Sequence, residues 1–227
     1  MSPRPLEPPS DLLARVEADL APVRPASIAG GVGRWLPLGL CLLVGLPLYV
    51  GVRGDAGRLG PWITWGVSAL QFVAGIWFVW AGAAEGRPDR RLPTRLLGGA
   101  LGAAAVLVIG VTTLTYAVSP TMLGEALLPW RAGSFCFQGS LVAGAPLLFL
   151  AAGLLGRTLP GVPWLTGALF GAGAGMTADA TWRLMCPVSD PWHVLTAHGG
   201  AILMLGVLGA LTAEVAARRR ARRTRLR

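Results

Sequence analysis

Both histidines and two of the three cysteines of this 227-residue chain carry side chains that can bind a metal ion or change oxidation state. Cys186, His193 and His198 follow the spacing Cys-x6-His-x4-His, and Cys136 lies further towards the N-terminus. Thiolates and imidazoles are ligands of zinc-class and copper-class ions. Two thiols can also join in a disulfide. The spacing is not that of a standard zinc motif, so these residues form a site only if the fold brings them together.

Asp179 adds a carboxylate in the apolar stretch that precedes Cys186. An ionisable side chain inside a membrane is energetically costly and is therefore a candidate functional residue. Arg183 lies four residues later, at the spacing that lets two charges pair on one helix face. The sequence leaves open whether Asp179 serves a site or only this ion pair. It also leaves open whether His193 is merely interfacial and Cys186 merely buried.

Six apolar segments must position these side chains. A helix that crosses a bilayer needs about 20 mainly apolar residues, and the segments of this kind are 35–52, 61–84, 96–118, 133–156, 163–185 and 193–217. Segments 96–118 and 141–156 show no polar face at the helical period, which argues against a soluble bundle. Only 14% of the residues are charged, against roughly a quarter in soluble domains. We therefore expect an all-α integral membrane protein with six transmembrane helices in residues 35–217.

The distribution of arginine predicts the orientation of these helices. All 20 basic residues are arginines, and 16 of them lie in residues 1–34, in the second and fourth loops and in the tail 218–227. Basic residues concentrate on the cytoplasmic side of a membrane, so we expect both termini in the cytoplasm. The basic tail then anchors the topology and touches anionic lipid, which we favour over nucleic-acid binding.

This orientation puts five potential metal ligands on the outer, periplasmic side of the membrane: Cys136, Asp179, Cys186, His193 and His198. Ligands gathered from separate helix ends can form a sensor or switch site, through either a metal ion of the zinc or copper class or a disulfide. Cys41 lies in the first segment, towards the cytoplasmic half, where we expect it to serve packing.

The N-terminal segment 1–34 contains one short amphipathic helix. Ser10 or Asp11 can cap it, and Pro22 and Pro25 end it. Its apolar face, at helical spacing, consists of Leu12, Leu13, Val16 and Leu20. A helix of about ten residues is marginal in water. The residues alone therefore leave open a docking helix that orders on a partner, a loose tail and a membrane-surface helix.

Four stretches, in the same order and spread over most of the chain, carry a resemblance to a known family: 11–25, 130–136, 186–187 and 198–211. In these stretches the chain resembles the NrsF-type proteins, which are six-span bacterial membrane anti-sigma factors acting on extracytoplasmic-function sigma factors. It is also similar in design to light-responsive anti-sigma proteins that control carotenoid synthesis.

The resemblance implies a regulator of the bacterial inner membrane rather than an enzyme. Its N-terminal segment would hold an extracytoplasmic-function sigma factor at the membrane, away from RNA polymerase and without direct nucleic-acid contact, until a stress signal releases it. By position, Cys136 and Cys186 would be the family's paired cysteines, which are implicated in sensing metal or oxidative stress. The residues that would contact the sigma factor are Asp11, Leu12, Leu13, Val16, Leu20, Pro22 and Val23.

Two other interpretations remain open at this point. The outer group of thiols, imidazoles and carboxylate can belong to a membrane metal-handling or thiol-redox protein, which is either a sensor or an enzyme. The chain can also be a structural membrane protein with no site. The sequence contains no HExxH, GxSxG or phosphate-loop motif, so we do not expect an enzyme.

Overall fold

The computed structural model describes Ala14 and residues 28–85, 92–120, 129–155 and 162–225. The segment predicted to dock a sigma factor, 1–34, lies outside these residues except for Ala14 and residues 28–34, and all seven residues predicted to contact the sigma factor lie outside them. The described part of the chain folds into six helices. They are α1 (28–50), α2 (Ala56–Glu85), α3 (Thr94–Val118), α4 (Pro129–Leu155), α5 (Pro163–Arg183) and α6 (191–225).

This all-helical architecture confirms the six predicted helices. Five of them, all except α5, are long and apolar enough to cross a membrane, as expected of a multi-pass membrane protein. Helix α1 begins at Ile28, ahead of the predicted position 35. Helix α6 continues to Arg225, so most of the basic segment predicted as a separate tail is a helical extension.

Helix α5 is the centre of the bundle. Most of its residues are buried, and it packs against α2, α4 and α6. Small residues let these backbones approach closely. A methyl group at Gly171 would collide with the backbone oxygen of Leu205 on α6, and one at Gly75 on α2 would lie 2.6 Å from Oγ1 of Thr177. The glycine-rich sequence of α5 thus serves helix packing.

Three of the helices contain a π-helical turn: Cys41–Gly45 in α1, Trp62–Gly66 in α2 and Val194–Gly199 in α6. A proline lies close to each turn, namely Pro47, Pro61 and Pro191. Proline removes a backbone donor, and both proline and π turns are local disturbances of the α-helical hydrogen-bond ladder. The turn in α6 is the one that shapes the site described below.

The segments that follow α1, α3 and α5 meet at one end of the bundle. Oγ of Ser119, at the end of α3, donates to Oδ2 of Asp55, at 2.7 Å. The backbone N–H of Arg53 donates to the carbonyl of Leu184, at 2.8 Å, just after α5. These contacts place the first, third and fifth connections together at one end of the bundle.

Candidate functional site

Two thiols and two imidazoles converge at this end of the bundle. We call Cys136, Cys186, His193 and His198 the Cys/His cluster. All four are buried, and their potential ligand atoms lie within 4.8 Å of one another. The two sulfur atoms are 3.6 Å apart, and Sγ of Cys186 lies 3.5 Å from Nε2 of His193. The structure therefore brings together four of the five residues predicted as metal ligands.

The π turn of α6 puts both histidines on the same side of the helix. In an α-helix, residues five apart point in directions about 140° apart, because each residue advances the helix by about 100°. A π turn instead links residues five apart by hydrogen bonds, which stacks them over each other. The turn begins directly after His193 and contains His198, and the two ring centroids are 5.4 Å apart.

Residues 184–190 hold Cys186 in a well-anchored loop. The backbone N–H of Cys186 donates to the carbonyl of Trp182, at 2.7 Å. At the other end of the loop, Oδ2 of Asp190 accepts from the backbone N–H of His193, at 2.8 Å. The hydrogen bond with Cys136, supported by His193, lowers the pKa of the Cys186 thiol although burial raises it.

Arg53 fixes this loop from the connection after α1. Its Nη2 donates to the carbonyl of Pro187, at 3.1 Å, and to Oγ of Ser189, at 2.8 Å. The same guanidinium forms an ion pair with Asp55, with Nε 2.5 Å from Oδ1. Arg53 is buried, so these bonds satisfy a charge that would otherwise be costly inside the protein.

Asp179 contacts the cluster through His198. Its Oδ1 is 2.6 Å from Nδ1 of His198, and its Oδ2 accepts from Gln71 of α2 and from Nε of Arg183, the latter at 3.1 Å. The pairing with Arg183 that the sequence suggested is therefore present, together with two partners that it did not suggest. Asp179 joins α2, α5 and α6 at one fully buried carboxylate.

The two histidines differ in what their ring nitrogens contact. Nδ1 of His198 is held by Asp179, which leaves Nε2 as the ligand atom of that residue. Nε2 of His198 and Nδ1 of His193 are buried and have no hydrogen-bond partner among the described residues. Buried polar atoms are usually paired, so Nε2 of His198 marks the cluster as a place where a ligand would be stabilising.

Three other residues differ in how well the sequence indicated their place in the structure. Cys41 is an exposed free thiol on α1 and does not join the cluster. Gln71 and Arg53 were not predicted as site residues. Gln71 carried a signal, since it is the one strongly polar residue of segment 61–84. Arg53 carried none beyond its charge, because its role depends on a loop that is distant in sequence.

A family model described as "NrsF: Negative regulator of sigma F" matches residues 16–218. The chain belongs to the NrsF family. The match covers nearly the whole chain and includes the Cys/His cluster. Membership of NrsF makes the chain an anti-sigma-type regulator with a sigma factor as its partner, and it implies a non-enzymatic role. The family description does not support the finer resemblance to light-responsive, carotenoid-regulating proteins. No curated protein and no solved structure matches the chain.

Proposed function

We propose that this chain is a membrane anti-sigma factor that holds an extracytoplasmic-function sigma factor through its N-terminal segment. A signal received at the Cys/His cluster releases the sigma factor. The observation that carries the proposal is the NrsF match over residues 16–218. Membership of this family supplies the partner, and the buried cluster supplies a place where a chemical signal can act on the bundle.

The arginine distribution supports an orientation with both termini in the cytoplasm of a bacterium. Sixteen of the 20 arginines lie in the termini and in the second and fourth loops. The connections after α1, α3 and α5 lie together at the opposite end, next to the cluster. In this arrangement the cluster faces the periplasm, and the sigma factor is held on the other side of the inner membrane.

The packing of α5 against α6 supports transmission between the two sides. The cluster residue His198 lies on α6 and bonds to Asp179 on α5. Further from the cluster along the two helices, their backbones are in contact, as at Gly171 and Leu205. Helices packed this closely move as a unit, so a change at the cluster shifts α6 and its basic cytoplasmic extension.

The N-terminal segment has the composition of a docking helix. Burying Leu12, Leu13, Val16 and Leu20 in a groove of the sigma factor would contribute about 6–12 kcal/mol in total, at roughly 1.5–3 kcal/mol for each side chain. Ordering the segment on binding costs about 2–5 kcal/mol. The remainder is enough to hold the partner when it is confined to the membrane surface.

The test is to replace Leu12 and Leu13 together by aspartate in the full chain. We expect loss of the sigma factor from the protein purified in mild detergent and increased transcription from a sigma-dependent promoter. The control is Leu6→Asp, which introduces a single negative charge ahead of the predicted helix. Unchanged promoter activity in the double variant, at normal protein levels, would refute docking through this helix.

One observation favours a second candidate function, a membrane thiol-redox protein. The thiols of Cys136 and Cys186 lie next to each other and beside the imidazole of His193. Such a protein would turn over a thiol or disulfide substrate after purification, and deleting residues 2–25 would not change its rate. An anti-sigma factor has no such turnover and loses its partner on the same deletion.

A further inference from the structure

We infer that the two thiols and two imidazoles of the Cys/His cluster are the four ligands of one Zn²⁺ ion, and that Asp179 orients His198 from behind. The inference rests on the proposed function in one respect only: the zinc ion would be the ligand through which the site acts on the sigma factor.

The distances within the cluster match a tetrahedral zinc site. Zinc binds cysteine sulfur at about 2.3 Å and histidine nitrogen at about 2.0–2.1 Å, so a tetrahedron separates two sulfurs by about 3.8 Å and a sulfur from a nitrogen by about 3.6 Å. The sulfurs of Cys136 and Cys186 are 3.6 Å apart. Sγ of Cys186 and Nε2 of His193 are 3.5 Å apart.

The remaining atoms need little movement to reach this geometry. All pairs of potential ligand atoms lie within 4.8 Å, which exceeds the tetrahedral edge by about 1 Å. A disulfide would instead require the two sulfurs to approach to about 2.05 Å. A disulfide also gives no role to the two histidines, although Nε2 of His193 lies beside Sγ of Cys186 and Nε2 of His198 is buried with no hydrogen-bond partner among the described residues.

The donor set favours zinc and a closed site. Two thiolates and two imidazoles in a tetrahedron are typical of Zn²⁺ among divalent ions. Four protein ligands leave no position for a water molecule or a substrate, so such a site is structural or sensory rather than catalytic. All four residues of the cluster are buried, which fits an ion that is enclosed by the protein.

Asp179 provides the outer support that a metal-bound histidine usually has. A ligating histidine generally donates its other ring N–H to a carboxylate or carbonyl, which fixes the tautomer and the ring orientation. Oδ1 of Asp179 accepts from Nδ1 of His198 in this way, at 2.6 Å. Gln71 and Arg183 hold the other oxygen of Asp179, so the carboxylate is itself fixed.

The charges balance when zinc is bound. One Zn²⁺ ion and two thiolates sum to zero, and Asp179 and Arg183 form a neutral pair next to them. The neighbouring pair of Arg53 and Asp55 is also neutral. A buried group with no net charge avoids the large penalty of an isolated charge in a low-dielectric interior.

The experiment is a titration of the full chain, purified in detergent under reducing conditions and freed of metal, with Co²⁺ and then Zn²⁺. Tetrahedral Co²⁺ with thiolate ligands gives visible d–d bands and a sulfur-to-cobalt charge-transfer band. We expect one Co²⁺ per chain with both features, and full displacement by one Zn²⁺. Absence of the charge-transfer band in the wild-type chain would overturn the inference without any variant.

Variants then assign the ligands. We expect Cys136→Ser and Cys186→Ser each to abolish the charge-transfer band or strongly reduce it, while Cys41→Ser, at the exposed third cysteine, leaves the titration unchanged. We expect Asp179→Asn to keep the spectrum and the stoichiometry but to weaken binding by about 10–100-fold. Binding that is insensitive to both cluster cysteines would refute the ligand set.

Deleting residues 2–25 separates this inference from the proposed function. We expect the deleted chain to lose the sigma factor but to bind Co²⁺ as the full chain does. Normal Co²⁺ binding together with no sigma factor on the full chain would leave the zinc site standing and reject the anti-sigma mechanism. A captured sigma factor without any Co²⁺ binding would reject the zinc site alone.

Discussion

Asp179 connects the Cys/His cluster to the rest of the bundle through a single carboxylate. It holds His198 with one oxygen and accepts hydrogen bonds from Gln71 and Arg183 with the other. A buried carboxylate depends on all its donors, because each missing one leaves part of its charge unsatisfied. A substitution at any of these partners should therefore affect both stability and the position of His198.

Gln71→Leu tests this dependence. We expect it to destabilise the detergent-solubilised protein by about 1–3 kcal/mol, because the oxygen of Asp179 loses a buried donor. Gln138→Leu makes the same chemical change at an exposed position of α4, and we expect no loss of stability. Thermal unfolding of both variants measures the difference, and equal effects would show that Gln71 is not a structural donor.

Asp55 predicts a pH dependence at the same end of the bundle. Burial raises the pKa of Asp55, but hydrogen bonds from Arg53 and Ser119 and the charge of Arg53 outweigh it, so the pKa lies below the ordinary 3.8. The charged form therefore stabilises the fold. This contribution is complete above the unfolded-state pKa and is lost as the pH falls through the lowered folded-state pKa.

Comparison of wild type with Asp55→Asn measures this contribution. We expect wild type to be the more stable at pH 7, and the difference to shrink as the pH falls below about 4, where the carboxyl group becomes protonated. The measurement is thermal unfolding in detergent across this range. A difference that stays constant down to about pH 3 would contradict the assignment.

The close approach of α5 and α6 makes a specific prediction at the level of helices. Gly171→Ala should destabilise the protein by about 1–3 kcal/mol, because its methyl group would overlap the backbone oxygen of Leu205. Gly102→Ala, on α3, meets nothing within 4 Å. It should be neutral or stabilising by up to about 1 kcal/mol, as alanine favours helix.

Thermal unfolding of the two variants side by side provides the measurement. Equal stability of Gly171→Ala and Gly102→Ala would contradict the close packing of the α5 and α6 backbones at Gly171 and Leu205.

At the level of helices the sequence predicted number and type well, because long apolar stretches are a strong signal. It did not predict how His193 and His198 meet. Regular α-helical geometry separates residues five apart by about 140°, and the π turn that stacks them has no clear signature in the residues. The sequence also suggested the Asp179–Arg183 pair but not Gln71 as a partner, because Gln71 and Asp179 are 108 positions apart in the chain.

The arrangement of connections predicts the topology of the whole molecule. Alkaline phosphatase fused after residue 120 should be active, because the third connection would lie in the periplasm. Green fluorescent protein fused after Arg227 should fluoresce, because the tail would lie in the cytoplasm. The reverse pattern would invert the proposed orientation and place the Cys/His cluster on the cytoplasmic side.

Helix α5 was predicted as a membrane span of the same kind as the others, and the whole molecule explains why it differs. Its neighbours enclose it, so its side chains meet protein rather than lipid. It can therefore carry Asp179 at a smaller cost than a lipid-facing helix could. Among the described residues, the other five helices are the ones long and apolar enough to cross a membrane.

The enclosed position of α5 has a consequence for how the protein is made. Aspartate and arginine oppose entry into lipid, by up to about 2.5–3.5 kcal/mol each at the middle of a helix. Asp179 and Arg183 lie near the end of α5 and add a smaller cost of the same sign. Its charged groups become acceptable once Gln71 of α2 and His198 of α6 are beside them. Since α6 is synthesised after α5, His198 becomes available to Asp179 only once the last helix has been made.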